Sequence, residues 1–269
     1  MNRTHLGVAA MLAVGAIASS ASAQVWAVQP GTGRILTINP ANGAILNQFG
    51  APDALAGGQR NIGLSIAEGD STLIYHNSDN NNAVNYRLNP ATGVLLSIEA
   101  KDGWTVDGLS WQQGATGAPL IYTSHSSGDV HRQVGYGGSD TFFWEGAGVP
   151  RGGLGGDGHG REFMIATDGN IYEYDPFNAG VTLNFFPAPF TPGAAFPLEG
   201  LAFDGASLYA SDTVGTLYTL DPNTGAILNT VTVQGGGLFG LGAAIPTPAP
   251  LGILAVAAVI GGRRRGSVF

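Results

Sequence analysis

No cysteine occurs in the 269 residues, which excludes disulfides, a thiol nucleophile, a thiolate metal site and the lipid-accepting cysteine of a bacterial lipoprotein. Lysine occurs once, at Lys101, so P-loop and Schiff-base chemistry have almost no residue to stand on. Charged side chains make up only 11% of the chain. The two longest apolar runs, 6–18 and 251–262, both fall short of the ~20 residues of a spanning helix. With 15 Pro the chain is far too poor in proline for collagen, although its 43 Gly are about twice the usual share. Twelve Phe, eight Tyr and four Trp supply enough apolar surface for a core and argue against disorder.

Four of the basic residues sit at the ends: Arg3, Arg263, Arg264 and Arg265. Residues 24–250 therefore hold seven basic side chains against all nineteen acidic ones, a net of −12. Such a body repels nucleic acid. Residues 1–23 have the form of an export signal: Arg3, then the apolar run from Leu6 to Ala18, then Ala21-Ser22-Ala23, the small-x-small pattern that signal peptidase cuts. Gln24 is the expected mature N-terminus. At the other end, 246–269 hold Pro246, Pro248 and Pro250, twelve apolar residues expected as a short helix, and the triple-Arg cluster Arg263-Arg264-Arg265. Basic residues of that kind hold a tail at the cytoplasmic face of a membrane.

The middle of the chain, 24–245, repeats. Gly-Leu recurs at 63–64, 108–109, 153–154 and 200–201, at spacings of 45, 45 and 47 residues. A second string recurs independently: Asn39-Pro40-Ala41-Asn42-Gly43, Asn89-Pro90-Ala91-Thr92-Gly93 and Asp221-Pro222-Asn223-Thr224-Gly225, with Asp175-Pro176-Phe177-Asn178-Ala179-Gly180 one residue longer. Asn or Asp caps a turn, Pro presets the next φ, and Gly re-enters the following strand at positive φ, so these strings predict hairpins. Each unit offers four short apolar strands and a period of 40–50 residues is that of a propeller blade. The sequence thus predicts an all-β fold, a β-propeller of five four-stranded blades. Val25-Trp26-Ala27 aligns with Leu208-Tyr209-Ala210, so the first unit lacks its innermost strand, which 237–245 can supply from the C-terminal end. The unit around 120–145 lacks the Pro-x-x-Gly turn, and 151–160 is unusually rich in Gly, read either as a functional loop or as decay of one repeat.

The C-terminal pattern resembles the PEP-CTERM sorting signal read by an exosortase, with Thr247 or Ala249 where that family has Glu. The resemblance implies export, membrane contact through the C-terminal segment, then cleavage or transfer to the cell surface, outer envelope or exopolysaccharide matrix. Its partners would be signal peptidase and exosortase during export, then extracellular polysaccharide or a surface protein. The repeats resemble secreted propellers of the SMP-30/gluconolactonase, NHL and YVTN kind, in strings such as Gly200-Leu201-Ala202-x-Asp204 and Leu220-Asp221-Pro222-x-Thr224-Gly225.

Equivalent loops of a propeller converge on one face. The position after the second strand reads Gln29, Ser78 with Asp79, His125, Asp168 and Asp212, and the position before the first reads Ile62, Asp107, Gly152 and Glu199. If both open on one mouth, Asp107, His125, Asp168, Glu199 and Asp212 form an acidic rim suited to ligand binding. Oxygen ligands of this kind suit Ca²⁺ or Mg²⁺. In the gluconolactonase-like families a Glu before the first strand and Asp or Asn from other blades hold a divalent metal. That resemblance implies Glu199 and Asp212 as ligands, with Asp107 and Asp168 by repeat equivalence. The same Asp residues are also what the hairpin turns require. No complete catalytic set is present: His76, His125, His131 and His159 show no zinc-hydrolase spacing and there is no Gly-x-Ser-x-Gly elbow. Three readings follow: a non-catalytic binding or structural module at the surface or in the matrix, a metal-dependent lactonase-like hydrolase, and a scaffold without a ligand.

Overall fold

A computed structural model describes residues 23–53, 62–67, 71–77, 84–100, 106–115, 118–124, 129–137, 141–145, 150–178, 180–190 and 198–244. The export and sorting residues Ala21, Pro246, Pro248, Pro250, Arg263, Arg264 and Arg265, and also His125, lie outside this set. Ala23 lies within it and packs against the core.

Among the described residues twenty strands form five four-stranded antiparallel sheets, so the chain is a five-bladed β-propeller. The first blade contains β1 (Val25–Gln29), β2 (Arg34–Ile38) and β3 (Ile45–Gly50). The second contains β4 (Ile62–Ala67), β5 (Thr72–Asn77), β6 (Val84–Leu88) and β7 (Leu95–Ala100). The third contains β8 (Gly108–Gln113), β9 (Pro119–Ser124), β10 (Asp129–Val134) and β11 (Thr141–Glu145). The fourth contains β12 (Pro150–Gly156), β13 (Glu162–Ala166), β14 (Asn170–Asp175) and β15 (Val181–Pro187). The fifth contains β16 (Gly200–Phe203), β17 (Leu208–Ser211), β18 (Thr216–Leu220) and β19 (Ile227–Thr232). As the repeat phase predicts, the last strand, β20 (Phe239–Ala243), completes the first blade by pairing with β1, Val25 opposite Ala243. Closure of this kind leaves no open end between the first and last blades.

The apolar core is not inside any blade. It is divided into five clusters, each shared by two successive blades. Side chains alternate across a strand, so neighbouring residues of one strand serve opposite seams. Phe163 and Ile165 face the fifth blade while Met164 faces the third. Trp26 and Val28 face the second blade while Val25 and Ala27 face the fifth. The inner strands are consequently buried along their length, and the outer strands β7 and β19 alternate.

Five strands around one axis leave little room between them. Gly153 of β12 abuts β16, where an added Cβ would fall on the backbone nitrogen of Leu201. Backbone cannot be displaced cheaply, so glycine is the residue that fits there.

The Asn/Asp-Pro turns do more than reverse the chain. Each presents its Pro carbonyl to a donor from the preceding blade: Asn229 Nδ2 to Pro40 at 3.0 Å, Trp26 Nε1 to Pro90 at 3.0 Å, Tyr122 Oη to Pro176 at 2.7 Å and Arg161 Nη2 to Pro222 at 3.4 Å. The turn glycine serves the same contact. Gly225, at φ +71°, is covered by the ring of Phe186 from the preceding blade, so both its backbone angle and its lack of a side chain are needed. The third blade has no such turn, and Tyr136 replaces it. Its carbonyl accepts Asn85 Nδ2 at 3.3 Å and its ring lies 3.9 Å beneath the Arg87 guanidinium.

Candidate functional site

Strand register decides which loops share a mouth. Ile62 pairs with Asn77, Gly108 with Ser124, Gly200 with Ser211 and Val28 with Phe239, so the starts of the inner strands and the ends of the second strands lie at one end of the ring. Asp107 and Glu199 each extend that ladder by one residue. Their backbone N–H groups donate to Ser124 O at 2.9 Å and Ser211 O at 2.7 Å, and their side chains are only 8% and 4% exposed. Asp212 follows the end of β17 on the same side and is fully buried. Asp107, Glu199 and Asp212 therefore lie at one end of the ring, at the level of the strand ends.

What these carboxylates do is partly structural. Asp212 Oδ1 accepts the N–H of Val214 at 3.0 Å and of Thr216 at 2.8 Å, closing its hairpin. Its carbonyl accepts the Leu238 N–H at 3.1 Å, which fastens the segment leading into β20. Asp212 Oδ2 makes no hydrogen bond among the described residues. Asp168 differs from the other three: it is exposed on the turn between β13 and β14, accepting Asn170 N–H at 3.0 Å and the Tyr172 hydroxyl at 2.5 Å. Burial is the largest single influence and pulls the carboxyl up, but the hydrogen bonds from Tyr172 and Asn170 together outweigh it and hold Asp168 below the ordinary carboxylate range. Among the described residues, these four included, no three His, Asp or Glu side chains are grouped to hold a metal ion.

The opposite mouth holds a group that repeat comparison does not single out. The Gly-rich loop 156–161 curls over the end of β8, held by Asp157 Oδ1, which accepts the N–H of His159 at 2.7 Å and of Arg161 at 3.1 Å. Gln112 of the third blade fills its inside, donating to Arg161 O at 2.8 Å and accepting the Gly160 N–H at 3.0 Å. Gln112 also donates at 3.0 Å to Glu162 Oε2, whereas Glu162 Oε1 is buried without a hydrogen bond. Burial pushes the Glu162 carboxyl up to about 8, so it is held protonated at neutral pH. Arg161 then ties the loop outward, at 2.6 Å from Glu173 Oε1 and 3.1 Å from Asn223 Oδ1 of the fifth blade. The Gly-rich loop is a clasp across the third, fourth and fifth blades. Its signal in the sequence is a lone Glu opening a strand, Glu162-Phe163-Met164-Ile165, where the other units open on Val25, Thr72, Pro119 and Leu208.

No family model and no curated protein sequence matches the chain. Among solved structures it is similar to the glutaminyl cyclase of Myxococcus xanthus, at 10% identity and a TM-score of 0.47, with 77% of each chain covered. It is also similar to a protein of unknown function from Bacteroides caccae, at 14% identity and a TM-score of 0.43, with 81% of this chain and 77% of that one covered. A third similarity is to BBS1N in its complex with ARL6DN, at 12% identity and a TM-score of 0.41. It covers 76% of this chain, which spans 62% of that one. None of these likenesses transfers an activity or a binding residue to the present chain.

Proposed function

We propose that the chain is an exported β-propeller, delivered to the cell surface, outer envelope or extracellular matrix, that acts as a non-catalytic binding or structural module. The observation that carries this reading is that, among the described residues, the five sheets are complete between Val25 and Ala243. A cut after Ala23 and removal of the chain beyond about Pro250 would leave all five sheets complete, as a processed export signal and a processed PEP-CTERM-like tail require. The non-catalytic part is supported by the hydrogen bonds that Asp212 Oδ1, Asp168 and Gln112 spend on turns and on the clasp.

Signal peptidase and exosortase are the partners in this reading, and a matrix polysaccharide or surface protein the final neighbour. Mass spectrometry of surface protein from an exosortase-bearing host tests it. The expected chain begins at Gln24 and ends near Pro250, and recovery of mature protein still carrying Arg263-Arg264-Arg265 would overturn the sorting claim. Lactone hydrolysis in the presence of Ca²⁺ or Mg²⁺ would overturn the non-catalytic one.

A further inference from the structure

The seam between the third and fourth blades carries an unbroken array of aromatic rings. Phe143 lies 4.8 Å from Trp144, both lie 5.6 Å from Tyr122, and Trp144 lies 5.8 Å from Tyr174, centroid to centroid. Tyr174 is 6.2 Å from Tyr172, which is 5.7 Å from Phe185. Tyr122, Trp144 and Tyr174 are buried and belong to the core. The array continues past them into solvent. Tyr172 is half-buried with its hydroxyl at the surface, and Phe185 is 60% exposed.

Tyr172 and Phe185 are cross-strand partners on β14 and β15, and their planes differ by only 25°. The Tyr174 plane lies 24° from that of Tyr172. Solvent therefore meets rings of similar orientation, not the edge-to-face packing found at Phe143 and Trp144. Neither equivalent pair builds this. In the second blade Tyr86 stands opposite Ile98, and in the fifth Tyr218 stands opposite Thr230. The extra ring at Phe185 adds nothing to the seam core, where Tyr86 and Tyr218 manage without one.

A polar edge completes the feature. Asp168, exposed and ionised, accepts the Tyr172 hydroxyl, leaving further carboxylate lone pairs toward solvent. Flat rings beside one hydroxyl and one carboxylate suit a ligand with an apolar C–H face and a rim of hydroxyl donors, which describes a pyranose. The net charge of −12 over residues 24–250 opposes anionic polymers and anionic lipid. We propose that Phe185 and Tyr172, with Asp168 at their edge, form a stacking subsite for a neutral hexose polymer on the outer rim of the fourth blade. This rests on the binding-module reading above and places the contact on the two outer strands of the fourth blade.

Calorimetric titration of the full chain with cellohexaose and maltohexaose, with a galacturonate oligomer as the anionic comparison, tests the subsite. At least one neutral oligomer should bind, Phe185→Ala should weaken it about tenfold or more, and Phe185→Tyr should retain it. Tyr172→Phe should weaken it less than Phe185→Ala does. Absence of binding by both neutral oligomers overturns the proposal, as does unchanged affinity in Phe185→Ala or preference for the anionic oligomer. Sedimentation of the same proteins covers another occupant: a dimer that Phe185→Ala dissolves, with no sugar bound, would assign the rings to a second copy of the chain and overturn the subsite. Failure of the processing experiment leaves these titrations unaffected, so the two results can be told apart.

Discussion

Tyr122 of the third blade donates its hydroxyl to the carbonyl of Pro176 in the fourth, 2.7 Å away, and both residues are buried. Trp26 makes the corresponding bond to Pro90 at 3.0 Å, but Pro90 is only half-buried. The two clamps share a geometry and differ in access to water.

That difference sets what each hydrogen bond is worth. Tyr122→Phe leaves the Pro176 carbonyl without a partner inside the seam and should cost about 2–3 kcal/mol, because desolvation is not recovered. The Trp26 bond, to a carbonyl that water can reach, contributes about 1 kcal/mol, and Trp26→Phe adds the cavity of a shrunken core ring to its loss. Denaturant melts of Tyr122→Phe check the first figure, and a loss well under about 1 kcal/mol would contradict it.

Truncation separates the ring from its tail. Ending the chain at Gln234 removes β20 and with it Leu238, Leu241 and Ala243 from the cluster between the fifth and first blades. Cooperative unfolding should be lost, whereas ending the chain at Pro246 should leave the melt unchanged. Equal melts for the two truncations would refute closure through β20.

Glu162 gives stability a pH dependence whose direction is fixed by its raised folded value. Below about pH 4.5 it is protonated folded and unfolded alike, so it costs nothing in either state. As pH rises from there toward 8 the unfolded chain releases its proton and the folded chain keeps it, so stability falls, by up to about 4 kcal/mol. Glu162→Gln keeps an uncharged partner beside Gln112 and should flatten the curve between pH 5 and 8. Urea midpoints across that range decide it. A slope as steep in Glu162→Gln as in wild type would place the effect elsewhere.

Calcium should not raise the melting temperature of the wild type, since the carboxylates at the first mouth are not grouped in threes among the described residues. Glu199→Gln should likewise leave the response to Ca²⁺ and EDTA unchanged. A calcium-dependent rise that Glu199→Gln abolishes would instead support Glu199 as a metal ligand.

The blade count was legible because turn chemistry is local. Asn39-Pro40 to Gly43 and its copies state a hairpin within five residues, and Gly-Leu marks each inner strand at a constant interval. Closure was legible from phase alone, because a first unit that opens on its second strand must borrow its first. The clamps were not, since Trp26 and Pro90 are 64 residues apart and Asn229 and Pro40 are 189. Nothing in the string says that a turn carbonyl faces the previous blade. Repeat equivalence places Asp107, Glu199 and Asp212 at one end of the ring, yet the Asp types that bind cations also close turns, as Asp168 and Asp212 both do. Glu162 was missed because comparison of the copies weighed loop positions, and this acid opens a strand.

Because each apolar cluster belongs to two successive blades, the covalent repeat and the packing repeat are out of step by half a unit. One further 45-residue unit would therefore bring half of each of two clusters. What resists such growth is the axis. A sixth inner strand would draw Gly153 and Leu201 apart and open gaps where backbones now touch. The inner glycines thus act as a molecular memory of the number five.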